Sequence, residues 1–139
     1  MRYAVVIHKD PESSYGVTVP DLPGCFSGGE TLDEAFDNAR DGILGHIETL
    51  LMDGQPVPER TPIEEHQANE DYREGMWGFV DVDLSKAGRR AKRVDITLPR
   101  PVLAAIDEAA ARSHDTRSGF LARAALAYIE MTSAGALRR

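Results

Sequence analysis

Three carboxylates in this sequence are of the kind a metal-dependent nuclease would need. Asp10 closes the run "RYAVVIHKD", and Asp81 and Asp83 alternate within "MWGFVDVDL". Converging on two metal ions about 4 Å apart, such groups can drive phosphodiester hydrolysis. Their local settings argue for a simpler role. Asp10 sits in a turn signal, and Asp81 and Asp83 lie beside Phe79, Val80, Val82 and Leu84 as the solvent face of a half-buried strand. His8 follows an apolar run, His46 falls in a helical segment, and His66 and His114 lie in loop-like stretches, with no H-E-x-x-H spacing. Cys25, the only cysteine, sits in a Pro-Gly turn with no histidine nearby and reads as buried and inert. It excludes an intrachain disulfide and a C-x-x-C zinc site. "GCFSGGE" precedes a helix but lacks the P-loop lysine, and that helix opens with carboxylates that repel phosphate; it reads as a turn. The expectation is no catalytic residue, no metal and no cofactor.

A second group of residues suits recognition. In "KRVDITLP", Val94, Ile96 and Leu98 alternate with Arg93, Asp95 and Thr97, as on a strand with one apolar and one polar face. Arg93 can donate to guanine edges, Asp95 can accept from cytosine N4, and Thr97 can hydrogen-bond or touch a thymine methyl. Lys92, Arg89 and Arg90 stand beside the strand and can reach phosphates. The start of a later helix, Thr116–Arg117–Ser118, offers free backbone N–H groups to a phosphate.

The elements that must position these residues follow from period and punctuation. Arg2 to His8 and Tyr15 to Val19 read as a β-hairpin, Cys25 and Phe26 as a short third strand, and Met76 to Leu84 as a fourth. Between them, Thr31 precedes the strongest helix, with Glu34 three residues on as a capping box and Gly54 as its C-terminal stop. Its apolar stripe is Leu32, Ala35, Phe36, Ala39, Ile43, Ile47, Leu50 and Leu51, and Asp33, Asp37, Asp41 and Glu48 lie off that stripe. The polar stretch 55–75 reads as a long excursion with one helical turn near Glu64. "SKAGRRAK" is a linker. Strand Arg93–Leu98 then leads to two helices, Pro99–Arg112 and Ser118–Met131, with Thr116 and Ser118 as candidate N-caps. No internal repeat is visible.

Charge divides along the same lines. Residues 1–84 carry 5 Lys/Arg and 18 Asp/Glu, whereas 85–139 carry 11 and 5, so a net −13 is joined to a net +6. Such asymmetry suggests partners of opposite charge. No apolar run reaches the roughly 18 residues of a membrane span, and the N-terminus reads as a strand rather than a signal peptide. A cytoplasmic protein without a membrane partner is the simplest expectation.

The strand at 93–98 has no second strand after it. A segment this short, with neither metal nor disulfide, needs a second subunit to fold. The missing strand is then its own copy: Val94, Ile96 and Leu98 face a shared dimer core, and Arg93, Asp95 and Thr97 face outward twice. A two-stranded ribbon fits the DNA major groove. "RVDITLPRPVLAAIDEAAARSHDTRSGFLARAALAYI" resembles the ribbon-helix-helix DNA-binding domains of repressors. "YAVVIHKD…YGVTVPDLPGCFSGGETLDEAFDNARDGILGHIETLLMDG" resembles the N-terminal domain of HicB antitoxins.

Together the two resemblances imply an α+β chain. A β-β-β-α-β, partly ribonuclease-H-like, toxin-binding domain would occupy 1–84, a linker 85–92 and a ribbon-helix-helix module 93–139. They imply an antitoxin and autorepressor whose partners are a HicA-like toxin ribonuclease, operator DNA and a second copy of the chain, with a tetramer left open. The expected toxin surface is Asp21 and Leu22 of the "PDLPG" loop with Asp33, Asp37, Asp41 and Glu48. Two other classes fit parts of the sequence: a stand-alone regulator with a sensing or oligomerising N-terminal domain, and a metal-dependent nuclease.

Overall fold

The β-rich run near the N-terminus becomes an interior strand. In the computed structural model, which describes residues 1–87 and 91–136, β1 (Arg2–Lys9) pairs antiparallel with β2 (Tyr15–Thr18) and β4 (Met76–Asp81). β3 (Phe26–Gly29) pairs antiparallel with β2, so the sheet runs β3-β2-β1-β4. One face carries Tyr3, Val5, Ile7, Val17 and Val80, packed on Ala35, Ala39, Ile43 and Ile47 of helix α1 (Leu32–Met52). Gly78 sits beneath the ring of Phe36, where a Cβ would come within 3.0 Å.

α1 begins and ends where its capping residues say. The Thr31 hydroxyl oxygen accepts the Glu34 N–H at 3.1 Å, while the Glu34 carboxylate accepts the Glu30 N–H rather than that of Thr31. At the other end Gly54 has φ of 69°, its N–H reaches Leu51 O at 3.2 Å, and Gln55 N–H reaches Leu50 O at 2.8 Å, a Schellman stop.

The "SGG" segment is strand, not turn: Ser27, Gly28 and Gly29 lie in β3, and Cys25 stands before it. A Cβ on Gly29 would lie 2.6 Å from Ala35 N, so these residues let α1 start against the sheet edge. β4 also stops earlier than its pattern suggests. Val82 N–H still donates to Met1 O at 2.8 Å, but Asp83 then caps a 3-10 turn, Leu84–Lys86, through Ser85 N–H at 3.0 Å and the Ser85 hydroxyl at 2.6 Å.

The opposite face of the sheet, bearing Ala4, Val6, Trp77 and Phe79, is partly covered by the excursion 55–75. That segment holds α2 (Ile63–Gln67) and a 3-10 turn, Glu70–Tyr72. Tyr72 meets Trp77 edge-on at 5.7 Å and His66 stacks on it at 6.5 Å.

The remainder is a pair of helices, α3 (Arg100–Arg112) and α4 (Arg117–Ala136). α4 leans on the 3-10 turn at 84–86. Asp115, just before α4, is the buried charge of this joint: the Met1 amine lies 2.8 Å and Arg123 Nε 3.4 Å from its carboxylate. The contact is coulombic, since neither oxygen accepts a well-aligned hydrogen bond. Losing one partner would leave a charge stranded away from water.

Candidate partner-binding surfaces

The carboxylates of the nuclease reading do not converge. Asp81 lies opposite Arg2 in the β1–β4 ladder, whereas Asp10 lies past the other end of β1, roughly 25 Å away at strand rise. Asp81 is held by the Arg2 guanidinium at 2.9 and 3.2 Å, which keeps its carboxyl below the usual range. Asp83 belongs to the joint rather than to a solvent face. Burial pushes its pKa up, but hydrogen bonds from Ser85 and the Thr116 hydroxyl outweigh that, and the net shift is downward. Among the described residues no three His, Cys, Asp or Glu side chains are grouped to hold a metal ion. Cys25 is buried and unpaired, and burial raises its thiol pKa.

The expected acidic surface divides. Asp33, Asp37 and Asp41 are exposed at four-residue spacing along the outer side of α1, and Glu48 is half-buried farther along it. Asp37 is 3.7 Å from Arg40. Asp21 and Leu22 face inward instead, Leu22 fully buried and Asp21 6% exposed. Asp21 Oδ1 accepts the Thr61 N–H and the His66 Nε2–H, each at 2.8 Å, and so ties the "PDLPG" loop to the excursion. A carboxylate with that much internal work offers little to a partner. The excursion itself exposes Glu64, Glu65, Glu70, Asp71 and Glu74. Beside them Phe79 is 52% exposed, under the Arg2 guanidinium at 5.6 Å.

The recognition segment looks different. Residues 91–99 carry no regular secondary structure and pair with none of the four strands; the strand read at 93–98 is not formed by one chain alone. Val94 and Ile96 are 70% and 62% exposed and Leu98 is half-buried. Arg93 and Asp95, two residues apart, lie on one side with Arg93 Nε 3.9 Å from Asp95 Oδ1, and Lys92 and Thr97 are exposed. Arg89 and Arg90 lie outside the described residues.

At the start of α4, Thr116 is the N-cap, its hydroxyl oxygen accepting the Gly119 N–H at 3.0 Å. Ser118 is exposed inside the first turn. Arg117 is not a free cation: it makes two hydrogen bonds of 2.8 Å to Asp107 of α3, raising its own pKa and lowering that of Asp107. With Asp83 and Asp115 also at this helix end, the phosphate site expected there is already supplied with carboxylates. Between the end of α1, residues 54–60 and α4 lies an open cleft of about 630 Å³, lined by Leu51, Val57, Leu84, Leu126 and Ile129 with Arg60 and Arg123.

Residues 3–125 match the family model of the HicB-like antitoxin of bacterial toxin-antitoxin systems. The chain belongs to that family. It is similar to the crystal structure of the Burkholderia pseudomallei antitoxin HicB, with a TM-score of 0.69 and 47% identity over 91% of this chain and 96% of that one. A HicA3–HicB3 toxin-antitoxin complex matches over 60% of this chain and 99% of that one, with 31% identity and a TM-score of 0.53. An uncharacterised 14.9 kDa protein of Haemophilus phage HP1 is 39% identical over 90% of this chain and 95% of its own length.

Two features of this HicB-like chain lay beyond sequence reading. The Asp21–His66 pair joins residues 45 apart, with no local pattern to announce it. The exposed aromatic at Phe79 had a signal, its alternation with Val80, but that pattern marks a face without saying whether anything covers it.

Proposed function

We propose that this chain is an antitoxin that neutralises a HicA-type toxin ribonuclease and represses its own operon. In this reading residues 1–84 form a toxin-binding domain of partly ribonuclease-H-like outline, 85–92 a linker, and 93–139 a ribbon-helix-helix module. The observation that carries it is the unpaired segment 91–99, whose apolar residues Val94 and Ile96 lie in solvent in the single chain. Among the described residues, only Ala110 of the helical part is buried as core. An antiparallel copy of 93–98 supplies the missing backbone partners and closes Val94, Ile96 and Leu98 into a shared core. The same pairing presents Arg93, Asp95 and Thr97 twice to a major groove, flanked by Arg89, Arg90 and Lys92 for phosphates. Because Arg117 is held by Asp107, phosphate contact at α4 falls to the exposed Ser118 and backbone N–H groups.

Neutralisation needs no catalysis, only a surface covering the toxin's RNA site. An RNA-cleaving partner carries a cationic face, and the −13 of residues 1–84 draws it in. The carboxylates of α1, Asp33, Asp37, Asp41 and Glu48, contribute to that field, which sets encounter rate and salt dependence more than final affinity. Both partners, RNA-cleaving toxin and operator, place the complex in the cytoplasm.

The test is one titration series. Full-length protein is assayed for sedimentation, for binding to operator and scrambled DNA, and for inhibition of a HicA-type toxin from the same genome. A dimer that prefers operator and abolishes RNA cleavage is the expected result. Absence of toxin inhibition removes the antitoxin reading, and equal affinity for both DNAs removes the repressor reading. The cleft of about 630 Å³ favours a second reading, a regulator sensing a small apolar ligand between sheet and helices. Operator binding that responds to such a ligand, with no toxin bound, would select it.

A further inference from the structure

We infer that the toxin docks on the sheet face opposite α1, with Phe79 as its apolar anchor and the carboxylates of the excursion as its rim. The inference rests on the antitoxin reading and adds the surface to it. On this face Phe79 and Ile63 wall a cleft of about 360 Å³ with Ala4 on its floor. Phe26, 70% exposed, looks out on the same side, since the ladder aligns it with Thr18, Val6 and Trp77. Half-exposed aromatics around a recess are what protein interfaces use as anchors, and a field of carboxylates alone is not.

Carboxylates outnumber cations around this face. Two of the nearby cations are paired inside the chain, Arg2 with Asp81 and Arg73 with Glu70 at 3.3 Å, while Arg60 donates to the Arg2 carbonyl and keeps its charge at the recess. No ion pair among the described residues engages Glu64, Glu65, Asp71 or Glu74. The occupant that fits is the basic, RNA-binding face of a small protein, whose Lys and Arg meet these carboxylates while an apolar side chain enters beside Phe79. The outer side of α1 offers Asp33, Asp37 and Asp41, with Arg40 3.7 Å from Asp37. The Asp21–His66 tie and the Tyr72–Trp77–His66 stack hold the excursion against the sheet, so the surface is formed before the partner arrives.

The experiment measures association and dissociation of full-length antitoxin with a catalytically inactive HicA-type toxin of the same genome. Phe79→Ser should raise the dissociation rate at least about 30-fold, the size of a hot-spot loss, with the melting temperature and sedimentation of the free protein unchanged. Glu64→Lys with Glu65→Lys, exposed on a single helical turn, should slow association about 10-fold at low salt and much less at high salt. This second variant decides the matter should Phe79→Ser lower stability. Asp33→Asn, Asp37→Asn and Asp41→Asn together should leave dissociation unchanged. Faster dissociation in the α1 variant, with both sheet-face variants behaving as the parent, would move the interface to α1 and overturn the inference while the antitoxin reading stands. A change in the free protein's oligomeric state on Phe79→Ser would make the face a contact between copies and also overturn it. No binding by the unaltered chain would instead remove the antitoxin reading itself.

Discussion

The sheet-bearing part of the chain is closed, and the helical part is open. Among the described residues every buried hydrophobic one but Ala110 lies at or before Leu84. In residues 1–84 the stripes between sheet and α1 meet, Tyr3, Val5 and Ile7 against Ala39, Ile43 and Ile47 across one layer, while the opposite face leaves Phe26 and Phe79 exposed. In α3 and α4 the apolar residues Val102, Tyr128, Ile129 and Met131 are exposed, and so are Val94 and Ile96 before them. Apolar area of that extent is stabilising only when covered. The contrast supports the proposal that the sheet-bearing half carries its own core, while the helical half gains one by pairing with a second copy.

The largest effect should come from attacking that dependence. Residues 91–139 prepared alone should sediment as a dimer whose melting temperature rises with concentration, and Ile96→Lys should abolish cooperative melting by placing an unpaired charge in the shared core. A folded monomer at micromolar concentration would erase the contrast. Next, Arg93→Ala with Thr97→Ala should spare the dimer but remove operator preference, at about 1–3 kcal/mol for each lost base contact, presented twice. Arg89→Ala should weaken all DNA alike and lower the salt slope by about 2, one for each copy in the dimer. Titrations on operator and scrambled DNA at two salt concentrations separate the two outcomes.

The closed half should respond to a core cavity without regard to concentration. Ile43→Ala should cost about 2–5 kcal/mol in urea unfolding of residues 1–87, and a midpoint that shifts with protein concentration would contradict its independence. The smallest effect lies at the joint. Asp83 and Asp81 both hold their protons less tightly than a free carboxyl of pKa 3.8. Their contributions are therefore complete above the ordinary carboxylate range and are lost as pH falls below it through the depressed values. Acid should loosen α4 from the 84–86 turn before it melts the sheet. Asp83→Asn should remove part of that acid sensitivity while its amide oxygen still caps the turn, whereas Asp83→Ala should also lose the cap and cost about 1 kcal/mol at neutral pH, read by hydrogen exchange at Ser85.

Most of the element order was legible because it rests on local periods. The stripe of α1, its Thr31 cap and its Gly54 stop were plain in the sequence and lie where expected. β1 and β2 were legible as a hairpin for the same reason. The strand ends were less so: β4 stops at Asp81 because the chain needs the next residues for a capped turn, and the third strand, read at Cys25 and Phe26, runs on through "SGG", where the close approach of α1 requires glycine. Of the candidate site, the exposed carboxylates Asp33, Asp37 and Asp41 of α1 were readable, whereas the alternation at 93–97 separates no faces in the single chain, where Val94 and Ile96 are exposed with Arg93, Asp95 and Thr97. The inward turn of Asp21 was not readable.

By itself the sequence determined what propensity, spacing and charge can carry: the helices and strands, the division into acidic and basic halves, and the family. Only the tertiary structure decided which polar groups are committed and which are free. Asp21 is taken by His66 and Thr61, Arg117 by Asp107, Asp115 by Arg123 and the Met1 amine, while Glu64, Glu65 and Phe79 are left facing solvent. These pairings join groups as far as 114 positions apart, and a charged side chain carries the same local signature whether its partner lies across the fold or in another molecule. The choice between them is made by which surfaces the packed core brings together, and that is a property of three dimensions.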